Sequence, residues 1–319
     1  MTTACKPAVL LATGSLNCDP WANAIRAAEP ERRLLVWPDV QDPEAVGYLL
    51  AWGQPHGILA TLPNLKAIFS LGAGIDHLVS PAGLPDVPII RVVDPDLTQR
   101  MSEWVVLQVL IHHRQQLSYN RQQAARIWKE LAQPAAADLR VGIMGLGVLG
   151  RDAAGVLHRL GFQVAGWSRQ AKSIPNVRCF HGAGDLDRFL ARTDILVCLL
   201  PQTPDTKGIL SMPLFKKLAG DGPLGGAILI NAGRGGLQIE TDIIAALDRG
   251  ILVGASLDVF ESEPLDQDNP LWTRPEIVIT PHAAAATMPD VIVPSILRQI
   301  AAFEAGASFA NLVDRNQLY

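Results

Sequence analysis

Three segments of this 319-residue chain each set titratable side chains directly after an apolar, strand-like run. Ile228-Leu-Ile-Asn231-Ala-Gly-Arg234-Gly235 carries an arginine, and Ala255-Ser-Leu-Asp258-Val-Phe-Glu261-Ser-Glu263-Pro264 carries acids. Ile277-Val-Ile-Thr-Pro281-His282-Ala283 carries a histidine. In an open parallel sheet, ligands sit in the crevice beyond the carboxyl ends of the strands, so three successive strand ends can converge on one small molecule. An arginine can clamp a carboxylate and polarise a carbonyl with its planar fork of donors. A histidine can hand over a proton near neutral pH, and an acid on its other ring nitrogen fixes the tautomer. Such a set could hold one small molecule by a carboxylate and move a proton at it. Each residue alone also has a structural reading: Arg234 on a surface acid, Glu263 in a solvated loop, His282 capping the following helix.

A dinucleotide site is written further upstream. Val141-Gly-Ile-Met-Gly145-Leu-Gly147-Val-Leu-Gly150 runs from a strand through GxGxxG into a helix. Its first two glycines allow a tight turn and close approach to a pyrophosphate, and the third lets helix and strand pack closely. A glycine-rich strand-to-helix turn without a ligand is the alternative. The acid expected about 20 residues on, which would bind the ribose hydroxyls of NAD, is missing: no Asp or Glu occurs between Asp152 and Asp185. The second strand ends instead in Trp167-Ser168-Arg169-Gln170-Ala171-Lys172. A hydroxyl and two cations suit a 2′-phosphate, so NADP(H) is expected over NAD(H). The competing reading is a solvated basic loop.

These groups must be held by two series of strands and helices. Ala8–Thr13, Arg33–Trp37, Gly57–Leu59, Lys66–Ser70 and Pro88–Val92 read as strands, and Trp21–Glu29 and Pro43–Trp52 as helices. A long helix starts near Asp96 or Thr98. The second series reads as strands at Arg140–Met144, Phe162–Trp167, Val177–Phe180, Ile195–Leu200, Ala227–Ile230, Leu252–Ser256 and Ile277–Ile279. A helix runs through Leu160, and a last one from about Pro289 to Glu304. This alternation predicts α/β architecture with two doubly wound parallel sheets. The expected division is a substrate-binding domain over 1–98 and 288–319, interrupted by a Rossmann domain over 99–287.

Composition excludes several classes. A net charge of −4 gives no concentrated basic face for nucleic acid, and Arg114, Arg121 and Arg126 read as a solvated helix face. Cys5, Cys18, Cys179 and Cys198 form no CxxC pair and no metal-ligand spacing, so no metal is expected. No apolar run approaches the roughly 20 residues that span a bilayer, and the cytoplasm is the default compartment.

Further motifs carry a family signature: Ser70-Leu-Gly-Ala-Gly-Ile-Asp76, Met101-Ser-Glu-Trp104, Leu257-Asp-Val-Phe-Glu-Ser-Glu-Pro-Leu265, Thr280-Pro-His-Ala-Ala284 and Val313-Asp-Arg315. With the glycine fingerprint and the Asn231–Gly235 segment, they make the chain resemble the D-isomer-specific 2-hydroxyacid dehydrogenases over essentially its whole length. Within them it is most similar to the type A glyoxylate/hydroxypyruvate reductases. The resemblance implies a flavodoxin-like substrate domain and Arg234, Glu263 and His282 as the catalytic set. Glu263 is preferred to Glu261 because it precedes Pro264. It places substrate against Arg234, His282 and the backbone amides of Leu71, Gly72, Ala73 and Gly74. Cofactor contacts are implied for Gly145, Leu146, Gly147, Val148, Leu149, Gly150, Trp167, Ser168, Arg169 and Lys172. Leu200, Pro201, Thr206, Asn231, Ala232 and Gly233 complete that set, with Asp258 at the nicotinamide carboxamide. Tyr119–Trp128, within an arm near 112–132, resembles a dimerisation arm and implies a homodimer with Trp128 near the neighbouring site. Trp52 has two readings, a wall of the substrate pocket or core packing, and His77 lies where the family fixes no residue. The rivals are dehydrogenases acting on D-lactate, phosphoglycerate or formate, although the formate enzymes carry Gln where Glu263 stands. A dinucleotide-sensing binding protein on the same fold is the rival of another class.

Overall fold

The computed structural model describes residues 6–14, 16–55, 57–78 and 84–314, so Cys5 and Arg315 lie outside the described residues. The chain divides into two compact units, residues 1–96 with 287–319, and residues 97–286.

The first unit holds β1 (Ala8–Ala12), α1 (Asp19–Ala28), β2 (Leu34–Val36), β3 (Val46–Ala51), β4 (Ala67–Ser70) and β5 (Ile89–Ile90). Its strands are all parallel, in the order β2-β1-β3-β4-β5, the flavodoxin-like order. Helix α1 starts on Asp19-Pro20, where proline's fixed φ suits a first turn, and buries Trp21, Ala22, Ala24 and Ile25 on one face. It packs against the C-terminal helix, Pro289–Glu304, which buries Ile292, Val293, Ile296, Leu297 and Ile300. One buried cation ties these distant pieces of chain together. Arg32 donates two bonds of 3.0 Å to the Glu304 carboxylate and one of 3.1 Å to the Pro7 carbonyl, and also pairs with Glu29.

Two sequence expectations fail in this unit. Pro43–Trp52 is not a helix: a single 3₁₀ turn at Pro43–Ala45 leads into strand β3. Every residue of β3 is buried, because the strand lies mid-sheet with both faces covered, so it lacks the alternation that marks a half-buried strand. Gly57–Leu59 is not a strand. Gly57 takes a left-handed φ of 82° and opens a 3₁₀ helix over Ile58–Thr61.

The second unit opens, apart from its first two residues, with α2 (Pro95–His113) and continues with α3 (Gln116–Ala124), β6 (Arg140–Met144), α4 (Val148–Arg159), β7 (Gln163–Ser168) and β8 (Arg178–His181). Then come α5 (Gly182–Leu190), β9 (Ile195–Cys198), α6 (Met212–Phe215), β10 (Ala227–Asn231), α7 (Glu240–Asp248), β11 (Leu252–Leu257) and β12 (Ile277–Ile279). Seven parallel strands lie in the order β12-β11-β10-β9-β6-β7-β8, the doubly wound order of a dinucleotide-binding sheet. The chain reverses direction across the sheet between β6 and β9, and apolar layers cover both faces. Among the described residues no helix is long and apolar enough to cross a membrane.

Candidate active site

The glycine loop leaves β6 at the switch point of the second sheet. Gly145 takes φ of +103°, a conformation side chains resist, and its N–H donates to the Trp167 carbonyl at 2.9 Å. Gly150 is glycine for packing, since a Cβ there would lie 1.9 Å from the Gly145 carbonyl oxygen. Gly147 differs from both. Its φ of −73° suits any residue, and a Cβ there would meet no protein atom within 4 Å. Among the described residues nothing demands glycine at 147, whereas a pyrophosphate lying against the backbone at the N-terminus of α4 does. The loop therefore fits a dinucleotide. Leu146 is buried against Gly166, Val148 is exposed and Leu149 is half-buried.

At the end of β7, Trp167 and Ser168 are buried while Arg169 and Lys172 are exposed. The Trp167 indole N–H donates to Gly182 at 2.9 Å, and the Ser168 hydroxyl donates to the Gln170 carbonyl at 2.7 Å. The serine oxygen thus anchors the turn that carries the two cations. The Leu199–Leu200 backbone lies against the glycine loop, and Gly233 lies against Leu200. The Leu199 carbonyl sits 2.7 Å from where a Gly145 Cβ would be, and the Leu200 carbonyl stands equally close to Gly233. Thr206 ties the segment after β9 by donating to the Pro201 carbonyl at 2.7 Å.

Arg234 follows β10 on a turn that is rigid by construction. Asn231 is fully buried: its Nδ2 donates to Gln238 at 2.8 Å and to the Arg234 carbonyl at 3.2 Å, and its Oδ1 accepts from Gly233 N–H at 3.0 Å. Gln238 in turn donates to the Val259 carbonyl at 2.9 Å. The Asn231 side chain therefore shapes the loop and has no donor left for a ligand. Gly235 is required because a Cβ would lie 1.7 Å from the Phe260 carbonyl oxygen. The Ala232 N–H donates to Cys198 at 3.2 Å, and Arg234 Nη1 donates to Gly233 at 2.7 Å.

His282 Nδ1 donates to Glu263 Oε2 at 2.7 Å, with the two side chains 36% and 35% exposed, so the pair is firm yet reachable. Glu263 also accepts from the Phe260 amide at 3.0 Å. Burial pushes its carboxyl up, but the His282 bond, the Phe260 amide and the charges of His282 and Arg234 outweigh it. The net displacement is below the ordinary glutamate value, so Glu263 is ionised at neutral pH. Glu261 faces elsewhere, bonded across to Glu240 at the start of α7. Asp258 is buried and its carboxylate accepts from Thr280, Ala283 and Ala284 on either side of His282. Burial pushes its carboxyl up, against the downward pull of those donors and of the His282 charge.

The glycine loop of the first unit follows β4. Leu71 is buried and its N–H donates to Ala51 at 3.0 Å, which extends the β3–β4 ladder and removes that amide from any ligand. Gly72 N–H is taken at 3.2 Å by Ser70 Oγ, which itself donates to the Gly74 carbonyl at 2.8 Å. The amides of Ala73 and Gly74 make no hydrogen bond to the described residues. Trp52 lies over Gly72 and against His77.

In the second unit the fold thus assembles Arg234, Glu263 and His282 at neighbouring strand ends. Sequence reasoning missed Gln238, Thr280 and Ser70, which hold the loops in place. Ser70 and Thr280 carried a signal, each as the first residue of a family motif; Gln238 acts through contacts that no spacing announces.

Residues 106–284 match the model of the D-isomer specific 2-hydroxyacid dehydrogenase, NAD binding domain. The chain is 39% identical over 300 residues to glyoxylate/hydroxypyruvate reductase A of Photorhabdus laumondii, covering 92% of this chain and 94% of that one. A solved structure of an NADPH-dependent glyoxylate/hydroxypyruvate reductase from Sinorhizobium meliloti, in complex with NADP and sulfate, superposes with a TM-score of 0.94. It is 44% identical and covers 98% of this chain and all of its own. A probable 2-hydroxyacid dehydrogenase from Rhizobium etli, in complex with NADP, HEPES and L(+)-tartaric acid, gives 0.93 at 47% identity, with 98% and 100% coverage. With Arg234, Glu263 and His282 standing at the strand ends of a doubly wound dinucleotide unit, this chain belongs to the D-isomer-specific 2-hydroxyacid dehydrogenase family.

Proposed function

We propose that this chain is an NADPH-dependent reductase of small 2-keto acids, converting glyoxylate to glycolate and hydroxypyruvate to D-glycerate. The observation that carries this reading is the 2.7 Å His282–Glu263 pair, with the Arg234 charge acting on Glu263, in a unit whose Gly147 is open to a pyrophosphate. The Sinorhizobium meliloti and Photorhabdus laumondii relatives bear the same activity in their names.

The backbone from Gly145 to Gly150 would hold the pyrophosphate, and Ser168, Arg169 and Lys172 the 2′-phosphate. When bound, NADPH supplies the hydride. The guanidinium of Arg234 grips the substrate carboxylate and keto oxygen, and so orients the carbonyl carbon for attack. In the first unit, taken by itself, the Ala73 and Gly74 amides are two backbone donors suited to a carboxylate. His282 gives its Nε2 proton to the oxygen as negative charge develops there. Glu263 accepts from Nδ1–H, which keeps Nε2 as the nitrogen that meets substrate and stabilises the imidazolium.

The arm supports a homodimer. Trp128 is fully exposed and Ile127 half exposed on a segment that also carries exposed Arg121 and Arg126. An apolar surface of this kind calls for a covering partner, and a second copy of the chain is the occupant we propose. Sedimentation at micromolar concentration should show the dimer, and a fully active monomer would refute it.

Initial rates with glyoxylate, hydroxypyruvate and pyruvate, each with NADPH and NADH, test the function. His282→Asn should lower kcat by about 10²–10⁴-fold while NADPH still binds. Wild-type turnover in that variant would sink the mechanism, and no turnover of any of these acids by the unaltered chain would sink the reading.

A further inference from the structure

We propose that His77 sets the size of 2-keto acid this protein accepts, by fixing the ring of Trp52 against Gly72. The inference rests on the keto-acid reading above and concerns residues of the first unit only. Trp52 directly follows β3, and its N–H continues the ladder by donating to the Ala12 carbonyl at 3.0 Å. Its ring then covers Gly72. A Cβ at Gly72 would stand 2.4 Å from Trp52 Cζ3 and 3.1 Å from Cε3 and Cη2. Gly72 has no left-handed φ, so what its missing side chain provides is a seat for the indole.

On this seat the indole is met by His77. The two rings touch with centroids 4.4 Å apart at an interplanar angle of 47°. His77 is tied to the chain on both sides of Trp52: its Nε2 lies 3.4 Å from the Ala51 carbonyl, and its own carbonyl accepts from Gln54 Nε2 at 3.1 Å. The histidine, the indole and the glycine loop therefore brace one another. Aromatic contacts prefer particular ring orientations and contribute beyond the area they bury.

The position of this wall gives it a consequence for substrate choice. Gly72 directly precedes Ala73 and Gly74, whose amides are the two donors of the loop that take no partner among the described residues. A 2-keto acid held there by its carboxylate has an indole as the neighbour of the loop. Hydrogen on the keto carbon, as in glyoxylate, or a hydroxymethyl group, as in hydroxypyruvate, needs little room. A benzyl or isobutyl group needs the indole to move. Pocket walls discriminate about 10- to 200-fold per methylene, so a ring that cannot move is a strong filter. His77 is thus a positioning residue that acts through Trp52.

The test compares kcat/KM for phenylpyruvate and for glyoxylate, both with NADPH, across the full-length protein and three variants. His77→Ala should raise the phenylpyruvate-to-glyoxylate ratio about tenfold or more, the change falling mainly on KM for phenylpyruvate. Trp52→Ala should raise it at least as far. His77→Phe, which keeps an aromatic contact, should stay near the wild-type ratio, a rescue that a general loss of folding cannot imitate. An unchanged ratio in either alanine variant, or a His77→Phe variant as relaxed as His77→Ala, overturns the proposal. Failure of the unaltered protein to reduce glyoxylate or hydroxypyruvate is a different result and strikes the functional reading itself.

Discussion

Asp258 holds the segment around His282 through four hydrogen bonds. Its backbone carbonyl accepts the His282 N–H at 2.8 Å, and its carboxylate accepts Thr280 Oγ1 at 2.5 Å, Ala283 N–H at 2.8 Å and Ala284 N–H at 3.0 Å. His282 needs this grip because its φ of +52° lies in the left-handed region that non-glycine residues avoid. Resemblance alone assigns Asp258 to the nicotinamide carboxamide, whereas in the structure both carboxylate oxygens already serve the histidine loop. Asp258→Asn should turn an amide N–H₂ toward one of these donors and leave it unsatisfied, a cost of about 1–3 kcal/mol. The expected outcome is a lowered melting temperature together with a kcat reduced more than the affinity for NADPH. Calorimetry and steady-state rates on one preparation would check both, and a variant with native kcat would show that the loop holds without the clamp.

Gly147 and Gly150 should separate binding from folding. Gly150→Ala must displace the Gly145 carbonyl, so a stability loss of about 1–3 kcal/mol is expected from overpacking. Gly147→Ala meets no protein atom, and should leave the denaturant midpoint unchanged while weakening NADPH binding. Equal loss of stability in the two variants would contradict this division of labour.

Arg169 is exposed, so its removal tests cofactor choice without disturbing the core. A charge-assisted hydrogen bond contributes about 1.5–3 kcal/mol, and each 1.4 kcal/mol is about tenfold in affinity. Arg169→Ala should therefore raise KM for NADPH by roughly 10- to 100-fold and leave NADH kinetics nearly alone. The effect should shrink as salt rises, because it rests on charge. An unchanged KM for NADPH would mark the Ser168–Lys172 turn as a basic surface only.

His112 gives the protein an acid-sensitive core. Its ring is buried against Gly254, with Nε2 2.8 Å from Ser256 Oγ, and burial pushes its pKa down from 6.5 to about 4. The unfolded chain therefore binds this proton more readily than the folded one between those values. Stability from the neutral ring is complete above about pH 6.5 and is lost as pH falls toward 4, by about 2–3 kcal/mol near pH 4.5. Urea midpoints at pH 7.5 and pH 4.5 should fall further apart in the wild type than in His112→Gln. The same acid loss in both would show that other groups carry it.

Local chemistry was legible in the order of the residues alone. A glycine turn between a strand and a helix, a basic stretch without acids after the second strand, and polar residues closing apolar runs are all local patterns. Each depends on neighbours within a few residues, and the seven strands of the second sheet were legible for that reason. The pairing of Glu263, and not Glu261, with His282 was suggested by the neighbouring Pro264 through family resemblance, but only the fold shows that Glu261 is already bonded to Glu240. Tertiary structure alone decided the identity of β3, since a strand buried on both faces is as uniformly apolar as a buried helix. It alone decided which loop amides are already taken, because Leu71 and Gly72 give theirs to Ala51 and to Ser70. The Asn231–Gln238 bond, the Asp258 clamp and the contact of His77 with Trp52 are likewise invisible in sequence. They join residues whose proximity is set by strand order and backbone turns, and no residue type or spacing encodes that on its own.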